Sequence, residues 1–362
     1  MTEWIRADFE GPMDAVQALI EAEISGLDGG WAAGALWSAG VAALLAIARG
    51  PRQLVRPQLT LLGIAGAGGD PSAEASIRFA AGVELLHLFA LVHDDVMDRG
   101  STRRGQPTVQ RALRSRLPRG AGAKAEHLAV LIGDLLHSQA VALMVTAGAS
   151  AAGGREALRV ILAGSRRAGV GQFLDLQGWD GPAGDLPPAA FRQLLLNKGG
   201  HHSITAPLVA GWRLVDPQAG LMTLSAWGDH VGLAFQGLDD IQDVLAEPGS
   251  TGKDTLQDLR EGRLSLVSHL LRRQLAPDEW DALRPTLGRG MMTIEDRGQI
   301  FSLMAHHQLI DRGLEFVRDE LAAARRLRGS GSLPAGFAAG LEVVEARLAA
   351  YTGRLEVLPR PR

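Results

Sequence analysis

Two stretches set closely spaced aspartates into long apolar surroundings, and nothing else in the chain constrains its fold as strongly. Asp94-Asp95-Val96-Met97-Asp98 and Asp239-Asp240-Ile241-Gln242-Asp243 both read D-D-x-x-D. Leu85-Leu86-His87-Leu88-Phe89-Ala90-Leu91-Val92 precedes the first, and Val231-Gly232-Leu233-Ala234-Phe235 the second. Apolar runs of this length without Pro read as buried helices rather than strands. On a helix, residues four apart share a face, so Asp94 pairs with Asp98 and Asp239 with Asp243. Stacked carboxylates repel unless a cation sits between them. Oxygen-only donors suit hard ions, and Mg²⁺ commonly takes one or two carboxylates plus substrate phosphates. Two such clusters facing each other would cage a diphosphate bridged by several Mg²⁺. A single D-D-x-x-D on a helix is usually a solvated acidic face. Two copies, each beside an apolar run and each followed by basic residues, favour the metal.

The rest of the chain fits a helical protein. Hydrophobic residues make up 46% of its 362 positions, aromatics only 5%, and no stretch sustains the alternation of a half-buried strand. Gly and Pro mark loops at 66–71, 115–122, 178–188, 247–253 and 329–336, with helical lengths between them. No polar linker separates domains, so the expected organisation is an N-terminal extension over 1–30 and one all-α domain over 31–362. Helices this apolar must surround one another, which predicts a bundle with its site in the core. A net charge of -3 without a general basic surface argues against a nucleic-acid partner. The Ala- and Gly-rich stretch from Trp31 to Ala48 is weakly hydrophobic, so a buried helix is expected there rather than a membrane span. The absence of Cys excludes disulfides and thiolate metal sites and fits a reducing, cytoplasmic location.

Basic residues follow each acidic cluster. Arg103 and Arg104 lie in Arg99-Gly100-Ser101-Thr102-Arg103-Arg104-Gly105-Gln106-Pro107, where Gly and Pro end the helix; Arg reads phosphate with two parallel donors. Lys253 sits in the turn Gly249-Ser250-Thr251-Gly252-Lys253-Asp254, and Lys198 ends an apolar stretch before Gly199-Gly200. Such cations complement Mg²⁺, which neutralises one side of a diphosphate while Arg and Lys hold the other. Thr251-Gly252-Lys253 lacks the spacing of a nucleotide-binding P-loop. His201-His202 and His306-His307 are adjacent pairs, which cannot share a helical face, so zinc is not expected. His93, beside Asp94, is expected to pack rather than to support the metal site.

In this order the motifs resemble those of the trans-isoprenyl diphosphate synthases, or polyprenyl synthetases, over roughly Ala32 to Arg354. His93-Asp94-Asp95-Val96-Met97-Asp98 through Arg103-Arg104-Gly105-Gln106-Pro107-Thr108 is a near-literal match to that family's H-D-D-x-x-D and R-R-G-x-P-T blocks. Glu84-Leu85-Leu86-His87, Gly133-Asp134, Gly171-Gln172 with Asp175, Lys198, Phe235-Gln236-Gly237-Leu238-Asp239-Asp240, Gly252-Lys253, Asp258-Leu259 and Glu261-Gly262-Arg263 complete the series. The resemblance implies an isoprenoid synthase-type helical bundle around a deep central cavity, usually a homodimer. It implies that Asp94, Asp98 and Asp239 ligate three Mg²⁺, with Asp95, Asp240 and Asp243 assisting. Arg103, Lys198 and Lys253 would hold the allylic diphosphate, and Gln236 and Gln172 would line the reacting end of the cavity. Arg56, His87 and Arg104 would hold isopentenyl diphosphate, with Gln53 in the same block. Phe89 and Ala90, about one turn ahead of Asp94, would set product length, and that pair resembles a C20 geranylgeranyl diphosphate synthase more than a C15 enzyme.

There are departures. Gln53 stands where the family has a lysine for isopentenyl diphosphate, Lys198-Gly199 replaces its K-T pair, and Arg263 replaces a common lysine. The expected reaction is head-to-tail condensation of isopentenyl diphosphate with an allylic diphosphate. Two alternatives stand beside it. One is a terpene cyclase-like ionisation of the allylic substrate alone, which Gln53 favours and the intact second acidic motif opposes. The other is a non-catalytic partner subunit, which the retention of both motifs opposes.

Overall fold

The computed structural model describes residues 9–27, 34–50, 54–178, 185–245 and 256–358. Among them lie sixteen α-helices and one two-residue hairpin, in agreement with the all-α expectation. In chain order the helices are α1 (Glu10–Ser25), α2 (Gly34–Arg49), α3 (Val55–Gly66), α4 (Glu74–Met97), α5 (Val109–Arg114), α6 (Gly122–Ala149), α7 (Gly154–Gln177), α8 (Pro188–Leu195), α9 (Ala206–Val215), α10 (Met222–Leu245), α11 (Gln257–Arg260), α12 (Leu266–Gln274), α13 (Pro277–Leu283), α14 (Ile294–His306), α15 (Leu309–Arg328) and α16 (Ala335–Glu356). The strands β1 (Thr102–Arg103) and β2 (Gln106–Pro107) follow α4. A π-helical segment, Leu196–Thr205, joins α8 to α9.

The chain forms two compact units. The first runs to Ile161 and includes Pro207–Ala219; the second begins at Leu162 and includes Gly220–Ser250 and Asp254–Arg362. Two of the crossings between them fall inside α7 and α9, where no linker marks them, and a third falls between α9 and α10. Residues 10–25, expected to belong to an extension, form α1. Its Met13, Val16, Ile20 and Ile24 recur at helical spacing and are buried, and α1 packs on α4.

In the first unit α4 packs along α6. Gly82 lets the two helices approach: a Cβ there would lie 2.5 Å from Cγ of Met144 and 3.1 Å from the Ala140 carbonyl oxygen. Both helices are long and apolar enough, by length and composition, to cross a membrane. More than half of the apolar window of α4 is buried within the protein, as in the core helix of a globular domain. α2, which covers most of the Trp31–Ala48 stretch, packs on α5 and α1, and its Leu44, Ile47 and Ala48 are buried.

In the second unit α10 packs against α15, α16 and the π-helical segment. Fully buried Trp227 donates from Nε1 to Oε1 of Glu345 at 2.8 Å, and Arg328 closes on the same carboxylate at 3.1 Å. Buried Glu320 is held by Arg192 and by His230 Nδ1 at 2.7 Å. Each buried charge on these helices therefore has partners, as a low-dielectric interior requires.

α8 meets α12 through parallel stacking of Phe191 on His269, with ring centroids 3.9 Å apart. Burial, reinforced by Arg273, lowers the His269 imidazole to about 4. The unfolded chain takes up a proton near the ordinary value of 6.5, so between pH 6.5 and 4 it binds more protons than the folded protein. Stability therefore falls as pH drops through that window. Because His269 is only partly buried, we expect it to supply about 1 kcal/mol of the loss between pH 7 and 5. His269→Phe should lose that much less stability over the same interval in denaturant titrations. An unchanged difference would mean that the imidazole titrates in the folded state as it does in the unfolded chain.

Candidate active site

In the first unit, α4 carries His87, Phe89, Ala90, His93, Asp94 and Asp95 and ends at Met97, with Asp98 as its cap. Asp98 N–H donates to the Asp94 carbonyl at 2.8 Å, so the last turn still sets these two residues one above the other. Arg99 then turns left-handed, with φ 52°, and the chain enters the hairpin. Arg104 and Gly105, at φ 54° and 74°, make the tight turn between β1 and β2. Positive φ at both central residues matches the twist of a two-residue hairpin.

That hairpin returns Arg103 to the acidic motif. Its Nε donates to Oδ1 of Asp95 at 2.9 Å, and its Nη2 reaches Oδ2 of Asp94 at 3.1 Å and Oδ1 of Asp95 at 2.5 Å. Burial alone would lower the Arg103 guanidinium, but the two carboxylates, Asp95 foremost, raise it above its ordinary value. Gln110 donates to the Asp95 carbonyl at 2.7 Å and to the Gly100 carbonyl at 2.9 Å, which Thr108 also bonds at 2.8 Å. The carbonyls at the end of α4 are thereby satisfied, as a buried helix terminus requires. Asp95 is buried while Asp94 and Asp98 are partly exposed, which separates the middle carboxylate from the outer pair.

Arg104 turns away from the motif. It donates to the Ile47 carbonyl at 3.2 Å and lies 4.0 Å from buried Glu84. Burial lowers its guanidinium, and Glu84 only partly restores it. Arg56 lies in the first turn of α3, which packs along α4 and so along the helix that carries His87. Phe89 stands edge-on to His93 at 4.6 Å and to His137 at 4.9 Å. His93 Nε2 lies 3.2 Å from the Val130 carbonyl and 3.4 Å from Asp134. A Cβ at Gly133 would lie 2.5 Å from the His93 ring, so the Gly133-Asp134 pair is the seat on which His93 packs.

The second unit repeats the division between outer and middle carboxylates. On α10, Asp239 is exposed and Asp243 partly so, one turn apart. Asp240 is buried and accepts from Leu266 N–H at 2.6 Å and from Gln236 Nε2 at 2.9 Å. Burial, and next the neighbouring Asp258, push its carboxyl well above the usual range. Asp243 accepts from Asp258 N–H at 3.2 Å through its side chain and from Leu256 N–H at 3.0 Å through its carbonyl.

Lys198 is drawn into the same unit. The pair Gly199-Gly200 does not end the helix; it lies inside the π-helical segment, a wider turn that recurs at functional sites. A Cβ on Gly200 would sit 2.7 Å from the Gly232 backbone, and one on Gly199 would sit 2.1 Å from Gln236 Oε1. Two glycines thus let the segment lie directly on α10 and bring Gln236 beside Lys198. Gly171 does the same for α7, since its Cβ would meet Lys198 N at 2.5 Å. Gln172, the next residue on that helix, is half-buried.

Lys198 Nζ pairs with Asp175 Oδ2 at 3.1 Å and donates to the Leu264 carbonyl at 3.3 Å. Asp175 Oδ1 in turn accepts Leu264 N–H at 2.8 Å, and Arg263 approaches the same carboxylate at 3.6 Å. Burial alone would lower the Lys198 ammonium, but Asp175, then Asp258 and Asp240, raise it above its ordinary range. Lys253 and Gln53 lie outside the described residues.

Tyr351, the only tyrosine in the chain, is a site neighbour that the sequence reading missed. From α16 its hydroxyl donates to Oε1 of Gln242, inside the second motif. Burial, and next Asp239, push the phenol up to about 12, so it is a neutral donor at physiological pH. In each unit the outer carboxylates, Asp94 with Asp98 and Asp239 with Asp243, are a pair of oxygen donors one helical turn apart. That chemistry fits Mg²⁺.

A family model described as polyprenyl synthetase matches residues 42–304. The short chain isoprenyl diphosphate synthase of Methanothermobacter thermautotrophicus is 31% identical over 242 residues, which is 65% of this chain and 68% of that protein. The geranylgeranyl diphosphate synthase of Mycobacterium tuberculosis is 33% identical over 234 residues, 63% of this chain and 61% of that protein. Among solved structures, geranylgeranyl pyrophosphate synthetase from Pyrococcus horikoshii aligns with a TM-score of 0.74 at 26% identity, covering 95% of this chain and 97% of that one. Geranylgeranyl pyrophosphate synthase from Corynebacterium glutamicum, complexed with isoprenyl diphosphate and magnesium, aligns with a TM-score of 0.75 at 25% identity, covering 96% and 99%. The match spans both acidic motifs and the hairpin arginines, and on that extent the chain belongs to the polyprenyl synthetase family.

Proposed function

We propose that this protein condenses isopentenyl diphosphate head-to-tail with an allylic diphosphate, releasing pyrophosphate, and that its product is C20 geranylgeranyl diphosphate or the C15 homologue. The observation that carries this reading is the arrangement in the second unit: exposed Asp239 and partly exposed Asp243 on one face of α10, with half-buried Lys198 paired to Asp175 and buried Gln236 bonded to Asp240, where glycines let the π-helical segment pack directly on α10. Asp94, Asp98, Asp239 and Asp243 would hold three Mg²⁺, with Asp95 and Asp240 supporting the motif backbones. When bound, the ions stabilise the charge that develops on the departing diphosphate.

The protein's own residues do the remaining work. Lys198, kept charged by its carboxylate neighbours, and Arg103 neutralise diphosphate oxygens. Lys253 would join them. Asp94 and Asp95 hold the Arg103 guanidinium in place, which would orient it toward the diphosphate. Arg56, His87 and Arg104 would hold isopentenyl diphosphate, with Gln53 contributing an amide in place of a lysine. Gln236, bonded to buried Asp240, would orient the reacting end of the allylic chain. The apolar flanks of α4 and α10 exclude water that would quench an allylic cation.

The direct test is product analysis with purified protein, Mg²⁺ and geranyl or farnesyl diphosphate, with and without labelled isopentenyl diphosphate. Elongated diphosphates that carry the label support the proposal. Hydrocarbon or alcohol products formed without isopentenyl diphosphate would favour the cyclase reading, and no turnover with either set would favour a partner subunit.

Phe89 and Ala90 are proposed to set product length. Phe89 is braced by two imidazoles and cannot swing aside without losing both edge contacts. Phe89→Ala should shift the product distribution toward longer chains, and Ala90→Phe toward C15, as read by chromatography of the hydrolysed products. A distribution unchanged by both would show that the chain is stopped elsewhere.

The reading includes a cytoplasmic homodimer. Leu131, Leu135 and Val145 of α6 are 57%, 43% and 50% exposed, and Val170, Phe173 and Leu176 of α7 are exposed as well. Apolar surface concentrated on a helix in this way fits an interface between copies of the chain. Light scattering should return twice the chain mass, and a strictly monomeric protein would refute that part of the proposal.

A further inference from the structure

The expectation that His306 and His307 cannot act together assumed a continuous helix. α14 ends at His306, and His307 is its cap, at φ -91° and ψ 4°. Gln308 then turns left-handed, at φ 53°, to start α15. The break places both rings on one side of the corner, edge to face with centroids 4.8 Å apart. Facing them is Glu279, in the first turn of α13.

His307 Nε2 lies 3.1 Å from Oε1 and 3.0 Å from Oε2 of Glu279. Glu279 is itself fixed, because Oε2 accepts Ala276 N–H at 2.8 Å. One ligand atom from each of Glu279, His306 and His307 lies within 4.8 Å of the other two. All three residues belong to the second unit.

We propose that Glu279, His306 and His307 form a transition-metal site, of Zn²⁺ type, that clips the first turn of α13 to the α14–α15 corner. Zn²⁺ binds imidazole nitrogen and carboxylate oxygen at about 2.0–2.2 Å, so two ligands of one tetrahedral ion stand roughly 3.3 Å apart. The Glu279–His307 pair is already close to that spacing. His306 is exposed and closes the remaining gap by rotation of its side chain. The site has one acidic oxygen and two imidazoles, a set that selects Zn²⁺, Co²⁺ or Ni²⁺ over Mg²⁺. It is therefore separate in chemistry from the aspartate motifs. Its fourth position faces solvent and takes water, and its role is to hold three helices together.

The full-length protein should be titrated in Mg²⁺-containing buffer with Co²⁺, following the visible ligand-field band, and with Zn²⁺ by calorimetry. One equivalent of Zn²⁺ should bind and displace Co²⁺, and saturation should raise Tm by roughly 3 °C. Glu279→Gln and His306→Ala should each weaken Zn²⁺ binding at least tenfold and remove the Tm gain. Both variants should keep the basal melting temperature and prenyltransferase activity. Glu279→Gln still offers an oxygen to Ala276 N–H, and His306 is at the surface, so neither should unfold the corner. His137→Ala, at a histidine elsewhere, should titrate like the parent. The proposal is overturned if Co²⁺ gives no ligand-field band, or if both variants bind Zn²⁺ as the parent does.

Discussion

Asp239→Ala should lower kcat by about 10³-fold or more at saturating Mg²⁺ while leaving the melting temperature unchanged or slightly raised. Asp239 is exposed on α10, one turn from Asp243, and supports no packing. Removing it takes away a proposed metal ligand and relieves a like-charge neighbour at once. Loss of a single group that stabilises developing charge commonly costs 10²–10³ in rate, and here the lost group would also hold an ion. Asp94→Ala should behave in the same way. Arg103 would lose one of its carboxylates but keep Asp95, to which it makes its two shorter bonds. Asp240→Ala should differ from both. It removes the acceptor of Leu266 N–H and Gln236 from a buried place, so stability and activity should fall together. Initial rates, Mg²⁺ titrations and thermal unfolding of the three variants separate these cases. Near-normal turnover in Asp239→Ala would remove the metal role of the second motif.

The outer and middle aspartates of each motif were not separable in the sequence, because D-D-x-x-D shows spacing but not which side chain turns inward. Helical geometry puts the second aspartate about 100° from the first, and only the neighbouring elements decide what lies there. At Asp95 it is Arg103, returned by a hairpin eight residues on. At Asp240 it is the start of α12, twenty-six residues on. Local features were legible for a physical reason: the apolar runs, the helix-ending Gly and Pro, and the arginine pair all act through neighbours in sequence.

Features that depend on distant backbone approach were not legible. Gly199-Gly200 looks like a helix end, and it becomes a π-helical turn only because Gly232 meets it from α10. Tyr351 reaches Gln242 across 109 positions, and no local pattern foretells that bond. The helix end between His306 and His307 was not legible because no Gly or Pro marks it. The division into two units carries no linker signal where it falls inside α7 and α9.

Asp175→Asn should destabilise the protein by roughly 3 kcal/mol, since it removes the nearest counter-charge of a largely buried ammonium. The amide still accepts Leu264 N–H through Oδ1, so the loss isolates the charge on Lys198 rather than a missing backbone bond. Asp258 and Asp240 remain as more distant counter-charges, and Arg263, also beside Asp175, loses its own partner there. In thermal unfolding this should appear as a drop of about 4 °C. Adding Lys198→Met removes the orphaned ammonium and keeps the length and apolar shape of the side chain. The double variant should recover most of the lost stability, because a buried ion pair replaced by a neutral, well-packed pair is often neutral or better. It should recover no activity, because the cation proposed to hold the allylic diphosphate is gone. Stability and turnover would then move in opposite directions along one pair of substitutions. A double variant that regained both would mean that Lys198 only balances Asp175. A single variant that melted like the parent would mean that the ammonium is already solvated and that the carboxylate does not hold it in place.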